Sequence, residues 1–175
     1  LRARAGHLLA SVLPPLREAC VPCRKTIELD RIAERLIREG GATPGFLGYH
    51  GYPRSICVSI NDEAVHGIPG NRKVAAGDLV SLDLGLVLEG FWADVGITVG
   101  VGKITPEAEK LLKVTEEALK VGIQQARPGG WLGDISSAIQ KHVEASGFSV
   151  IRQFVGHGIG RQMHEAPQVP SFGTP

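Results

Sequence analysis

Apolar positions along the chain recur at two spacings, and the switches between them lay out the elements. Residues 1–19 have helical spacing, as does the segment from Thr26, in which Leu29, Ile32, Ala33, Leu36 and Ile37 recur at turns of a helix. Pro14-Pro15 is expected to interrupt the first helix, because proline lacks an N–H and clashes with the preceding turn. Thr26 reads as the cap of the second, which Gly40-Gly41 ends. Residues 43–53, rich in Gly, Pro and Tyr, read as loop; 55–60 read as a strand, and Asn61-Asp62-Glu63 as the turn after it. Two further apolar runs, 79–84 and 91–98, flank Glu89-Gly90 and predict a hairpin. Thr105 and Pro106 then open a helix with Leu111, Thr115, Ala118, Leu119 and Gly122 along one side. Pro128-Gly129-Gly130 separates it from another at about 134–146, closed by Gly147, and 148–154 reads as a strand. Helix, helix, strands thus occurs twice, a weak sign of duplication in an α/β chain. On that reading the second copy stops early, and the counterpart of the hairpin is expected beyond Pro175.

Each hairpin run carries one aspartate, Asp83 and Asp94, expected to be buried. A carboxylate inside so apolar a strand costs several kcal/mol unless it is paired or binds a cation, and neither run contains a basic residue. Across a short hairpin, positions eleven apart can share a face, where a divalent cation is the simplest neutraliser of two carboxylates. Alternatively, each Asp bonds turn backbone at a strand end.

Composition narrows the classes. With 175 residues, 43% of them hydrophobic, the chain suits one packed domain spanning 1–175. A formal charge of +1 with Lys and Arg scattered among acids gives no footprint for nucleic acid. No apolar run approaches the ~20 residues of a bilayer crossing, so no membrane partner is expected. Three cysteines, an odd number at low density, point to a reducing, cytoplasmic setting. Cys20-Val21-Pro22-Cys23 has redox or zinc spacing but lacks a second ligand pair, which favours plain surface thiols.

Three histidines lie in glycine- and proline-bounded loops. His157 sits in Gly156-His157-Gly158-Ile159-Gly160, where flanking glycines leave the imidazole uncrowded, as a metal ligand at a strand end requires. His164 follows in Met163-His164-Glu165-Ala166-Pro167, and His66 lies in Val65-His66-Gly67-Ile68-Pro69-Gly70. A lone loop histidine is usually a solvated surface residue; three, with two strand aspartates, suggest a site.

Taken together, His66 to Pro69, Ser81-Leu82-Asp83-Leu84-Gly85, Ala93-Asp94 with Thr98, Gly156 to Arg161, Met163 to Pro167, and Gly48-Tyr49-His50-Gly51-Tyr52-Pro53 before Cys57 resemble type I methionine aminopeptidase in order and separation. The resemblance implies the pita-bread fold, α/β (α+β), with a curved, antiparallel-rich sheet, helices on its outer face, and an incomplete second pseudo-symmetric half. It implies a dinuclear site for cobalt, manganese or iron, with zinc an alternative: Asp83 chelating one ion, Asp94 bridging both, His157 binding the second. Two family glutamates from later in the fold have no counterpart, since Glu165 is expected in a loop. His164 would donate to the scissile carbonyl oxygen and His66 would contact the scissile amide. Tyr49, Tyr52, Cys57, Phe46 and Met163 would wall the methionine pocket, with ordinary packing as their alternative role. The implied substrate is the N-terminal methionine of nascent peptides, with ribosome docking open and a monomer expected. The chain alone is expected to bind metal weakly and to hydrolyse little. Other readings are a non-catalytic pita-bread module that binds peptides or partners, and a proline-specific peptidase of the same fold.

Overall fold

Helix α1 (Arg2–Ala19) runs unbroken through Pro14 and Pro15 in the computed structural model, which describes all 175 residues. The expected interruption does not occur. An interior proline costs about 3 kcal/mol, but the carbonyls freed here, on Ala10 and Ser11, belong to exposed residues and are left to water. The stripe of Ala5, Leu9, Val12 and Leu16 stays buried through the prolines, and each large member contributes roughly 1.5–3 kcal/mol. Packing therefore outweighs the lost bonds. Helix α2 (Thr26–Glu39) begins one residue earlier than expected: Lys25 is the cap, and its N–H donates to Glu28 Oε2 at 2.8 Å, while Thr26 lies inside the first turn.

The sheet forms around strand β3 (Leu79–Leu88), whose whole length pairs antiparallel with β4 (Phe91–Gly100). On its other edge, β2 (Ile56–Ile60) pairs with residues 80–84, and the short β1 (Thr43–Pro44), inside the expected loop, pairs with Leu86 and Val87. Glu89 (φ 51°) and Gly90 (φ 79°) form a two-residue turn with both residues left-handed, the geometry whose twist matches the flanking strands. Alternation divides the sheet. Ile56, Val58, Ile60, Val80, Leu82, Leu84 and Leu86 are buried on one face in a core with the α1 stripe and with Leu29, Ala33 and Ile37 of α2. The opposite face carries Cys57, Ser59, Ser81, Asp83, Gly85, Asp94, Gly96 and Thr98.

These elements belong to a first compact unit, Leu1–Thr105 with Ile159–Met163; a second comprises Pro106–Gly158 with His164–Pro175. In the second, α3 (Pro106–Gln125) and α4 (Leu132–Ala145) pack through Val114, Ala118 and Gly122, where a side chain on Gly122 would meet Ile139 Cδ1 at 2.8 Å. The buried stripe is thus rotated from the expected one, and Leu111 and Leu119 are exposed. Small residues win the contact because they let the helix axes approach. Residues 148–154 are not a strand, since a strand needs a neighbouring strand and none is laddered to them. Instead β5 (Gly156–Gly158) pairs with β6 (Glu165–Val169), so Glu165 opens a strand rather than lying in a loop.

Candidate metal and substrate site

Register places the two aspartates. Asp83 stands opposite Gly96 and Asp94 opposite Gly85, so the carboxyls are diagonal neighbours on the polar face, close enough to share a hydrogen bond. Asp83 is half-buried, and Asp94, contrary to expectation, is exposed, because the polar face of β4 is open to solvent there. Glycine stands opposite each acid, and beside Asp83 it keeps space open: a side chain at Gly96 would meet nothing closer than Leu82 O at 3.9 Å. Burial, then the negative charge of Asp94, then their shared hydrogen bond push the Asp83 carboxyl up to about 7.

Beside the acids the same unit forms a small apolar cluster. Phe46, Cys57 and Met163 are buried together, with Tyr49, Tyr52 and Trp92 packed against them. Phe46 lies over Gly85, where a Cβ would come within 2.7 Å of its ring. Phe46 and Tyr52 meet edge-on at 6.5 Å, and Tyr49 and Trp92 at 5.5 Å. Tyr52 Oη lies 3.1 Å from the carbonyl oxygens of Ile56 and Gly67, fastening the apolar cluster to the His66 loop. Burial pushes the Cys57 thiol up to about 11, against a hydrogen bond from Tyr52 that pulls it down; burial also raises the Tyr52 hydroxyl. These are poor thiolate conditions, so Cys57 is not poised as a nucleophile. All five residues expected in the pocket gather here. Trp92 was not among them, although two-residue periodicity already sets it on the face of Asp94.

His66 is exposed in the same unit, with left-handed backbone (φ 62°). The loop is fixed just after it: Gly67 N–H donates to Ser59 Oγ at 3.1 Å, and its carbonyl accepts from Val58 N–H at 2.9 Å. A side chain at Gly67 would overlap Val58 O, so only glycine allows this approach.

In the second unit, β5 and β6 bring His157 and His164 together with ring centroids 4.2 Å apart. Side chains at Gly156 and Gly158 would run into the β6 carbonyls of Val169 and Ala166, which explains the glycines around His157. His157 Nδ1 lies 2.9 Å from Gly158 O. A carbonyl can only accept, so Nδ1 carries the proton, and Nε2 is the ring nitrogen that could serve as a metal ligand.

A family model, metallopeptidase family M24, matches residues 3–175. The methionine aminopeptidase of Clostridium perfringens is 51% identical over 175 residues, covering all of this chain and 70% of that protein. The crystal structure of methionine aminopeptidase from Thermotoga maritima superposes with a TM-score of 0.96 at 41% identity, covering 98% of this chain and 70% of that one. Prolidase from Pyrococcus furiosus, at 20% identity and a TM-score of 0.84, shares the fold. The family implies divalent metal ions. The donors fit in kind: the first unit holds two carboxyls close enough to share a hydrogen bond, one of them pushed up to about 7, and the second unit carries the His157 imidazole. Within each unit these remain pairs, with no third His, Cys, Asp or Glu completing a cage. Matching along nearly its whole length, and at this identity, the chain belongs to metallopeptidase family M24 and, within it, to the methionine aminopeptidases.

Proposed function

We propose that the chain is a divalent-metal-dependent aminopeptidase that removes the N-terminal methionine of nascent polypeptides by hydrolysing the first peptide bond. One observation carries this reading: Asp83 and Asp94 share a sheet face with an apolar cluster of Phe46, Cys57, Met163, Tyr49, Tyr52 and Trp92. Such a wall, apolar and edged with aromatic rings, suits an unbranched, polarisable thioether.

Asp83 and Asp94 are the proposed carboxylate ligands, and His157 the imidazole ligand through Nε2. Carboxylate oxygens with one imidazole suit manganese or iron, and cobalt or zinc would accept the same set. When bound, such ions supply Lewis acidity and lower the pKa of a water. The protein's own groups orient the peptide. The pocket holds the methionine side chain and excludes water from it. His164 holds a proton towards the scissile carbonyl oxygen, and His66, on its glycine-fixed loop, contacts the scissile amide. The free cysteines support a reducing, cytoplasmic location, where nascent chains at the ribosome supply substrate and the protein acts as a monomer.

The test is methionine release from a Met-Gly peptide with manganese or cobalt, using a full-length relative as benchmark. The expected release is metal-dependent, abolished in Asp94→Asn, and well below the benchmark, because three protein ligands leave the ions weakly held. Release that survives chelation, or that ignores the identity of the first residue, would overturn the reading.

A further inference from the structure

Helix α2 carries two buried polar residues one turn apart, Thr26 and Asp30, 3% and 5% exposed. Neither side chain faces solvent, and neither serves the helix. Thr26 Oγ1 accepts from Gly70 N–H at 2.8 Å and lies 3.1 Å from Gly70 O, at the end of the His66 loop. Asp30 Oδ1 accepts the N–H groups of Ser55 and Ile56 at 2.8 and 3.1 Å, at the end of the tyrosine loop. Arg54 Nε donates to Pro69 O at 3.1 Å and links the two loops. Just beyond the Asp30 contacts, Ile56 O lies within reach of Tyr52 Oη, and Cys57 enters the pocket.

We propose that Asp30 and Thr26 are positioning residues for the substrate site, mooring to one rigid helix the two loops that supply Tyr52 and His66, the first of which leads into Cys57 of β2. This rests on the reading above that the pocket takes a methionine side chain. A carboxylate inside an apolar core is costly unless its oxygens are satisfied, and here one oxygen takes two backbone donors from the segment that enters β2. Nothing in the core needs that acid. The loops do, because a site built on loops keeps its geometry only where neighbouring groups hold the backbone.

The test uses the whole 175-residue chain with Trp131→Phe, leaving Trp92 in the pocket as its one tryptophan. Its fluorescence is titrated with free L-methionine, and backbone amide exchange is followed in parallel. Asp30→Ala is expected to weaken methionine binding about tenfold or more and to speed exchange at 54–57. Asp30→Asn, which keeps a weaker acceptor in place and so preserves the fold, should weaken binding about two- to fivefold with faster exchange confined to the same residues. Thr26→Val should speed exchange at 66–70. Val12→Ala, which destabilises the α1 core on the other side of the sheet, should leave methionine affinity unchanged. Unchanged affinity in Asp30→Asn despite faster exchange at 54–57, or equal weakening in Val12→Ala, overturns the inference alone. A parent chain that does not bind methionine sinks the reading of the pocket and this inference with it.

Discussion

Without metal, the acidic pair should make the chain lose stability as pH rises, and removing one acid should remove that loss. The Asp83 carboxyl sits at about 7 instead of 3.8, so the folded state holds its proton more tightly than the unfolded chain does. Its contribution is therefore complete below about pH 4 and lost as pH rises through about 7. A displacement of this size corresponds to at most about 4 kcal/mol at ~1.4 kcal/mol per pH unit. Asp94 is exposed, and solvent screening reduces the figure to about 2 kcal/mol, or roughly 4–8 °C in Tm for a chain of this length. The assay is thermal unfolding in chelator from pH 4 to 8 for the parent and for Asp83→Asn. Other carboxyls titrate in both proteins, so the difference between the two curves isolates the Asp83 carboxyl, its burial first and its repulsion by Asp94 second. The parent is expected to fall relative to the variant across that window, and added manganese to reverse the order at pH 7. Parallel curves in chelator would show that Asp83 is neither penalised by burial nor repelled by Asp94, and would remove the physical case for a cation beside them.

Other expectations follow from single contacts. Gly85→Ala places a methyl 2.7 Å from the Phe46 ring, and should cost about 1–3 kcal/mol in denaturant unfolding while weakening methionine binding. His157→Ala should leave the fold intact and reduce manganese affinity at least about tenfold by calorimetric titration; an unchanged affinity would strike His157 from the ligand set. Pro14→Ala with Pro15→Ala restores two N–H donors to the exposed face of α1 and should raise stability by about 1–2 kcal/mol, read from the denaturant midpoint. Glu89→Asn suits the left-handed turn better and should gain about 0.5 kcal/mol, since the exposed Arg4–Glu89 pair at 2.9 Å is worth little.

Much of this molecule was legible in its residues because the relevant forces are local. Two-residue alternation in β3 and β4 and the Glu89-Gly90 turn specify a hairpin, and the hairpin alone places Asp83 and Asp94 on one face. The pocket positions came through the resemblance, and Trp92 was within reach of the same alternation. What the sequence could not show depends on neighbours distant along the chain. Pro14 and Pro15 stay helical because a sheet holds the opposite side of α1; residues 148–154 are strand-like in composition but join no sheet; the α3 face was decided by the contour of α4 at Gly122. The exposure of Asp94 likewise depends on what does not cover β4. Asp30 and Thr26 show the limit most clearly: in sequence they are two polar residues on an amphipathic helix, and only folding brings Ser55, Ile56 and Gly70 to them. Periodicity is written into neighbouring residues, whereas burial and partnership belong to the three-dimensional packing that those residues build together.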